Sequence, residues 1–249
     1  MPARVNPFDG LPVPFGMTHR GGGREACENS PAAFDRTVAL GFTVVETDVR
    51  ATIDGHVVVF HDATLDRTTD AAGPISAQPL RRVQRASLAN GEHPVTLAEA
   101  LRRWPTLRFN IDVKSPDAIG PFLRTVAEAD AWHRVCAASF STSRLQRLRA
   151  LGGPRLATSL GSGEVTRLVL GAPTPFGPVA AQVPARQGRV PVVTPGFVAR
   201  AHARGLQVHV WTINEATEMG QLLGLGVDAL VTDRPSLLAE VLARRSAWR

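Results

Sequence analysis

The run Val44-Val45-Glu46-Thr47-Asp48-Val49 decides the fold. Side chains on an extended strand alternate faces, so Val45, Thr47 and Val49 share one side while Val44, Glu46 and Asp48 share the other. The first side suits packing beneath helices. The second carries two carboxylates together, which fits the inner wall of a parallel barrel near its C-terminal mouth, where barrel enzymes assemble their sites. The run Arg108–Lys114 repeats the pattern: Phe109, Ile111 and Val113 turn toward helices, and Asn110, Asp112 and Lys114 turn inward.

Outward from these two runs, β-rich stretches alternate with segments of helical periodicity, the signature of parallel βαβ units. The expected strands are Phe15–Arg20, Phe42–Arg50, Arg108–Lys114, Arg134–Phe140, Arg155–Leu160, Ala180–Ala185, Leu206–Ile213 and Ala229–Thr232. The expected helices are Pro31–Leu40, Leu97–Trp104, Ala118–Ala129, Ser143–Ala150, Gly163–Leu170, Pro195–Arg204, Glu215–Leu223 and Ser236–Arg245. One helix follows each strand, so the fold class is α/β, a single (β/α)₈ TIM barrel spanning residues 1–249. Ser30-Pro31 starts a helix, Thr96 with Glu99 forms a capping box, and Gly41, Gly152, Gly205 and Gly226 stand where helices should stop. Residues 51–92 break the alternation and read as a small insertion after strand two, opening with a hairpin turn at Ile53-Asp54-Gly55-His56.

Composition sets the class. The chain has 249 residues, 44% hydrophobic and 20% charged, enough for a large core and ordinary for a water-exposed globular protein. No run nears the ~18 apolar residues of a spanning helix, and Met1 to Phe15 lacks a basic segment followed by an apolar one, so a cytoplasmic location is expected. Cys27 and Cys136 form neither a metal spacing nor a framework of bridges, and read as two reduced thiols, with a single bridge left open. The net charge is +6, but the basic residues are scattered along helices without a dense run, which argues against nucleic acid. All Lys and Arg positions are Arg except Lys114, and Tyr is absent. Proton transfer therefore falls to His, Asp, Glu or Lys.

Three inward carboxylates, Glu46, Asp48 and Asp112, would repel one another in a poorly solvated interior unless a cation neutralised them. Oxygen-rich sites suit hard ions, so one divalent cation, Mg²⁺ or Ca²⁺, is expected there. His19 closes strand one and His61 closes the hairpin run, at the same mouth. Two imidazoles beside a cation and Arg20 suit a phosphodiester, one taking a proton from the attacking oxygen and one giving a proton to the leaving oxygen.

The blocks His19-Arg20-Gly21, Glu28-Asn29-Ser30, Glu46-Thr47-Asp48-Val49, Thr52-Ile53-Asp54-Gly55, His61-Asp62 and Leu65-Asp66-Arg67-Thr68-Thr69 closely resemble the glycerophosphodiester phosphodiesterases. The likeness continues through Asn110-Ile111-Asp112-Val113-Lys114, Val210-Trp211-Thr212-Ile213-Asn214 and Thr232-Asp233-Arg234-Pro235, in order along nearly the whole chain. The resemblance implies a (β/α)₈ barrel that hydrolyses glycerophosphodiesters to sn-glycerol 3-phosphate and an alcohol. It implies that Glu46, Asp48 and Asp112 hold the metal and that His19 and His61 are the acid–base pair. Arg20 and Lys114 then contact the phosphate, Glu28 ligates or orients, and Trp211 lines the cleft unless it serves only as barrel packing. The chain departs from the family at Asp112, usually Glu, and in the stretch Gly22-Gly23-Arg24-Glu25-Ala26-Cys27. The expected partner is a small glycerophosphodiester, without nucleic acid or stable membrane association, and the oligomeric state is left open. One alternative is a lysophospholipase D-like enzyme on the same barrel, for which the loop 173–178 and Trp248 are the only candidate apolar contacts. Another is a non-catalytic module that binds phosphate esters.

Overall fold

The computed structural model describes residues 5–245; Trp248 lies outside them. The barrel strands are β1 (Phe15–His19), β2 (Val44–Ala51), β3 (Arg108–Val113), β4 (Val135–Ala138), β5 (Ala157–Thr158), β6 (Ala180–Pro184), β7 (Gln207–Trp211) and β8 (Ala229–Thr232). The helices that follow them are α1 (Pro31–Ala39), α2 (Leu97–Arg103), α3 (Ile119–Glu128), α4 (Thr142–Gly152), α5 (Ser162–Val169), α6 (Pro195–His202), α7 (Ala216–Gly224) and α8 (Pro235–Ala243). Neighbouring strands run parallel in the order β5-β4-β3-β2-β1-β8-β7-β6. A single parallel bridge, Ser159 to Ala180, joins the two ends and closes the ring.

Local chemistry sets the helix starts. Thr96 Oγ1 accepts from Glu99 N at 3.1 Å and Glu99 Oε2 accepts from Thr96 N at 2.7 Å, the expected capping box. Ser30 Oγ accepts from Ala33 N ahead of Pro31. The structure corrects some limits. α4 runs through Gly152 and stops at Gly153, whose φ is +63°, so the second glycine of the pair is the stop. β5 is two residues long rather than the six of Arg155–Leu160, because Pro154 directs the chain through a 3₁₀ turn at Gly153–Arg155. β3 ends at Val113, leaving Lys114 just past the strand.

The insertion begins as expected. Val57–Val59 pairs antiparallel with the end of β2, Val49 facing Val59, and a small core of Val58, Phe60, Leu65, Ile75, Val83 and Leu88 seals it. The chain leaves this hairpin at His61. After β6 comes a second extension that sequence reasoning missed, a ribbon of Arg186–Gln187 against Val190–Pro191. No disulfide joins Cys27 and Cys136, and among the described residues no helix is long and apolar enough to cross a membrane.

The barrel interior is tiered. Phe15, Val44, Cys136, Ala157, Ala180 and Ala229 fill its floor with Phe8. Above them Asn110 and Gln182 exchange amide hydrogen bonds of 3.3 and 2.8 Å. His209 lies fully buried beside them, edge-on to Phe8 and Phe15. Its Nε2 donates to Gln207 Oε1 at 3.0 Å and its Nδ1 accepts from Gln182 at 3.4 Å, which assigns a neutral ring.

Burial holds the pKa of His209 down at about 3, against the ordinary 6.5. The unfolded chain therefore takes up a proton below about pH 6.5 that the folded chain refuses until about 3. The stabilisation is present above 6.5 and drains away as pH falls toward 3, at up to about 1.4 kcal/mol per pH unit. Urea titrations from pH 6 to 4 should show a slope of stability against pH that is shallower by about that amount in a His209→Gln variant. Identical slopes would clear His209 of the effect.

Candidate active site

The upper tier opens into a cavity of about 550 Å³ that takes in His19, Arg20, Glu46, Asp48, His61, Asp112, Lys114 and Trp211. Register brings them together: His19 sits beside Glu46 across β1 and β2, and Asp48 sits beside Asp112 across β2 and β3. Directly after β1 the chain turns sharply. Arg20 has a φ of +54° and Gly21 a φ of +81°; a Cβ on Gly21 would come within 2.5 Å of that of Ala33, and one on Gly22 within 2.7 Å of Pro235. The glycines after His19 thus let the loop pass between α1 and the start of α8.

Three carboxylates meet two cations here. Lys114 Nζ donates to Asp112 Oδ2 at 2.8 Å and lies 2.7 Å from Asp48 Oδ1. Arg20 Nε lies 3.1 Å from Asp48 Oδ2, out of hydrogen-bond alignment, while its Nη1 donates to Glu28 at 3.2 Å. Burial opposes the Lys114 ammonium, but Asp48 and Asp112 outweigh it and raise its pKa. Burial raises the Asp112 carboxyl against the pull of Lys114. Among the described residues Glu46 has no Lys or Arg in ion-pair contact, and its cationic neighbour is His19, with Nε2 at 3.7 Å. Burial, reinforced by the charge of Asp48, pushes the Glu46 carboxyl up to about 8.

Glu46 Oε2, Asp48 Oδ2 and Asp112 Oδ1 are all buried without a hydrogen-bond partner. Three unsatisfied carboxylate oxygens on adjoining strands are the donor set a hard divalent ion takes, and the cost of leaving them orphaned is what such an ion would relieve. The cluster is not closed in advance. Among the described residues no three His, Cys, Asp or Glu side chains already converge on one point, because Lys114 holds Asp48 and Asp112 to itself. The donor chemistry suits a hard ion, while Lys114 occupies Asp48 and Asp112 as the side chains stand.

Each histidine is held at Nδ1 by a carboxylate. His19 Nδ1 lies 2.6 Å from Asp233 Oδ1, and its Nε2 faces the cavity 3.7 Å from Glu46. Asn214 holds Asp233 in turn, its Nδ2 donating to Oδ2 at 3.0 Å. Burial disfavours the imidazolium, but the Asp233 hydrogen bond and Glu46 outweigh it, and the His19 pKa rises above 6.5. His61 Nδ1 lies 2.6 Å from Asp62 Oδ1, and its carbonyl accepts from Arg50 at 2.9 and 3.1 Å. Arg67 grips Asp62 and Glu28 at once, with contacts of 2.5 and 2.7 Å, and holds the Asp62 carboxyl well below the usual range.

Residues 19–237 match the glycerophosphoryl diester phosphodiesterase family. The chain belongs to that family. A relative from Mycobacterium tuberculosis, "Probable glycerophosphodiester phosphodiesterase 2", is 38% identical over 88% of this chain and 87% of its own length. "Glycerophosphodiester phosphodiesterase" of Caldanaerobacter subterraneus subsp. tengcongensis is 26% identical over 92% of this chain and 97% of its own. Among solved structures, an Oleispira antarctica phosphodiesterase in complex with the product sn-glycerol-3-phosphate superposes with a TM-score of 0.78, at 24% identity, over 93% of this chain and 97% of that one. At that identity the likeness speaks for the barrel alone.

Within this family member the expected residues fall into two groups. Glu46, Asp48, Asp112, Lys114, Arg20, His19, His61 and Trp211 share the cavity. Glu28 stands behind it with both oxygens taken by guanidinium groups, a position for orienting Arg20 rather than for reaching an ion. Trp211 lines the cavity with its ring 5.5 Å from that of Phe140, and also packs partly on the barrel interior. Sequence reasoning gave no role to Asp62, Arg67, Asn214, Asp233 or Phe140. Asp233 had a readable signal, an acid directly after a barrel strand. Arg67 had none, because its two partners lie 5 and 39 positions away on different loops.

Arg67→Ala is expected to free Asp62 and Glu28 together and to lower kcat about tenfold by loosening His61, as small misplacements of catalytic groups do. Steady-state rates on a glycerophosphodiester check it; an unchanged kcat would show that Asp62 alone suffices.

Proposed function

We propose that this chain hydrolyses glycerophosphodiesters to sn-glycerol 3-phosphate and an alcohol by paired acid–base catalysis at His19 and His61, with a divalent cation. The observation that carries the reading is two imidazoles, each backed by a carboxylate at Nδ1, on one cavity wall with Arg20 and Lys114. Arg20 and Lys114 are placed to share the charge of a bound phosphate as the reaction proceeds. His19, where Asp233 and Glu46 favour the imidazolium, suits giving a proton to the departing alcohol oxygen through Nε2. His61 suits taking the proton from the attacking oxygen, with Asp62 fixing its ring orientation. That oxygen belongs to water or to the glycerol 2-hydroxyl, and trapping a 1,2-cyclic phosphate distinguishes the two. Glu46, Asp48 and Asp112 would hold the cation, Mg²⁺ or Ca²⁺, which supplies Lewis-acid neutralisation of a non-bridging phosphate oxygen when bound. The acids stand on β2 and β3 and Trp211 at the end of β7, across the ring of strands, and all line the one cavity.

The test is a panel of glycerophosphodiesters incubated with metal-loaded protein, with glycerol phosphate and free alcohol both quantified. Equimolar release of the two is expected. Absence of both from every diester in the panel would end the reading.

A further inference from the structure

Gly21, Gly22 and Gly23 follow His19 and Arg20, and a run of glycines sets no position by itself, because each residue has a wide choice of backbone angles. Arg20, Gly21 and Gly22 take left-handed angles here, with φ of +54°, +81° and +95°. Keeping His19 aimed at the cavity therefore calls for an anchor beyond the glycines, and Glu25 supplies it. Glu25 Oε2 accepts from Ser236 Oγ at 2.8 Å, and Ser236 N donates to the two carboxylate oxygens at 3.2 and 3.3 Å. Arg36 on α1 donates to the same Oε2 at 2.7 Å.

Ser236 lies in the first turn of α8. Arg234, at the N-cap position of that helix, makes no side-chain cap, so a carboxylate from another loop does what Ser, Thr, Asp or Asn would do locally, at the end where the helix dipole favours a negative charge. Burial opposes the Glu25 carboxylate, but Arg36 and Ser236 outweigh it and hold its pKa below the ordinary value. The same turn carries the acid behind His19. Asp233 stands three residues before Ser236, its Oδ1 lies 2.6 Å from His19 Nδ1, and its carbonyl accepts from Arg24 N at 3.1 Å. A closed circuit results, from His19 along the loop to Glu25, across to Ser236, back along the chain to Asp233 and across to His19. Cutting it at Glu25 frees the loop after β1 from the start of α8, and the hydrogen bond at Nδ1 is loosened with them.

We propose that Glu25 is a positioning residue for the acid step, keeping His19 on Asp233 by clamping the loop after β1 to the first turn of α8. The inference rests on the phosphodiesterase reading with His19 as the acid, and adds to it a residue that does not line the cavity.

Glu25→Ala tests it, alone and combined with His19→Ala, on two diesters of glycerol phosphate, one releasing ethanol and one releasing p-nitrophenolate. On the ethyl diester kcat should fall about tenfold, the scale on which a displaced catalytic group costs. On the p-nitrophenyl diester the fall should stay within about twofold, because that group leaves without a proton. In the His19→Ala background Glu25→Ala should cost less than about twofold on the ethyl diester, since the effects of residues acting through one group do not add. Ser236→Ala leaves the Ser236 N–H and Arg36 on Glu25; it should show the same leaving-group contrast at about two- to threefold, a milder cut that serves if Glu25→Ala fails to fold. Equal losses on the two diesters, no loss on the ethyl diester, or a tenfold loss that persists without His19 would overturn the role of Glu25 and leave the phosphodiesterase reading standing. A His19→Ala variant that itself shows no leaving-group contrast would instead remove the reading beneath it.

Discussion

Replacing His19 by Ala is expected to lower kcat by about 10²–10⁴-fold on diesters with simple alkyl alcohols, the usual worth of a positioned acid or base. The loss should fall below about tenfold on a p-nitrophenyl diester. An alkoxide is a poor leaving group and needs a proton as the bond breaks, whereas p-nitrophenolate departs without one. The contrast isolates the proposed acid, because His61→Ala should cost about the same with both leaving groups. The substitution is structurally mild. Asp233 keeps its hydrogen bond from Asn214 and its backbone N–H still donates to Asn214 Oδ1 at 2.8 Å, and the vacated space opens on the cavity. Equal losses of the His19 variant on both diesters would remove His19 as the acid.

Thorough chelation is expected to lower turnover by at least about 10²-fold, with recovery on adding Mg²⁺ or Ca²⁺, since several kcal/mol of transition-state stabilisation depend on neutralising the phosphate. Binding is to be measured apart from rate. Calorimetry should show one ion per chain in the wild type and none in a Glu46→Gln, Asp48→Asn double variant. Lys114 gives a sharper check, because its ammonium lies within 2.8 Å of both Asp48 and Asp112 and competes for the carboxylates the ion needs. Lys114→Met should bind Ca²⁺ more tightly than the wild type while turning over more slowly. Full activity after exhaustive chelation, or heat of binding undiminished in the double variant, would remove the metal from the proposal.

Several parts of the molecule were legible because their determinants are local. The alternation in Val44–Val49 and in Arg108–Lys114 fixes which side chains point inward, since strand geometry has a period of two. The Thr96–Glu99 box and the stops at Gly41, Gly205 and Gly226 depend on a few consecutive residues; the latter have φ values of +84°, +66° and +83°. Gly152 misled because a second glycine follows it, and composition alone cannot say which of two adjacent glycines takes the left-handed turn. His209 could be set aside as structural, yet only the packed interior shows it neutral between Phe8, Phe15 and two glutamines.

By itself the sequence determined the barrel, the inward acids and the two mouth histidines, because strand alternation and short-range caps are written in neighbouring residues. Only the tertiary structure decided what each group touches. Asp233 reaches His19 from 214 positions away, Arg67 ties Glu28 to Asp62 across two loops, and Glu25 caps α8 from the loop after β1. Those relations arise when β8 closes against β1 and the helices settle outside the ring, and distance along the chain carries no record of a contact made by closure.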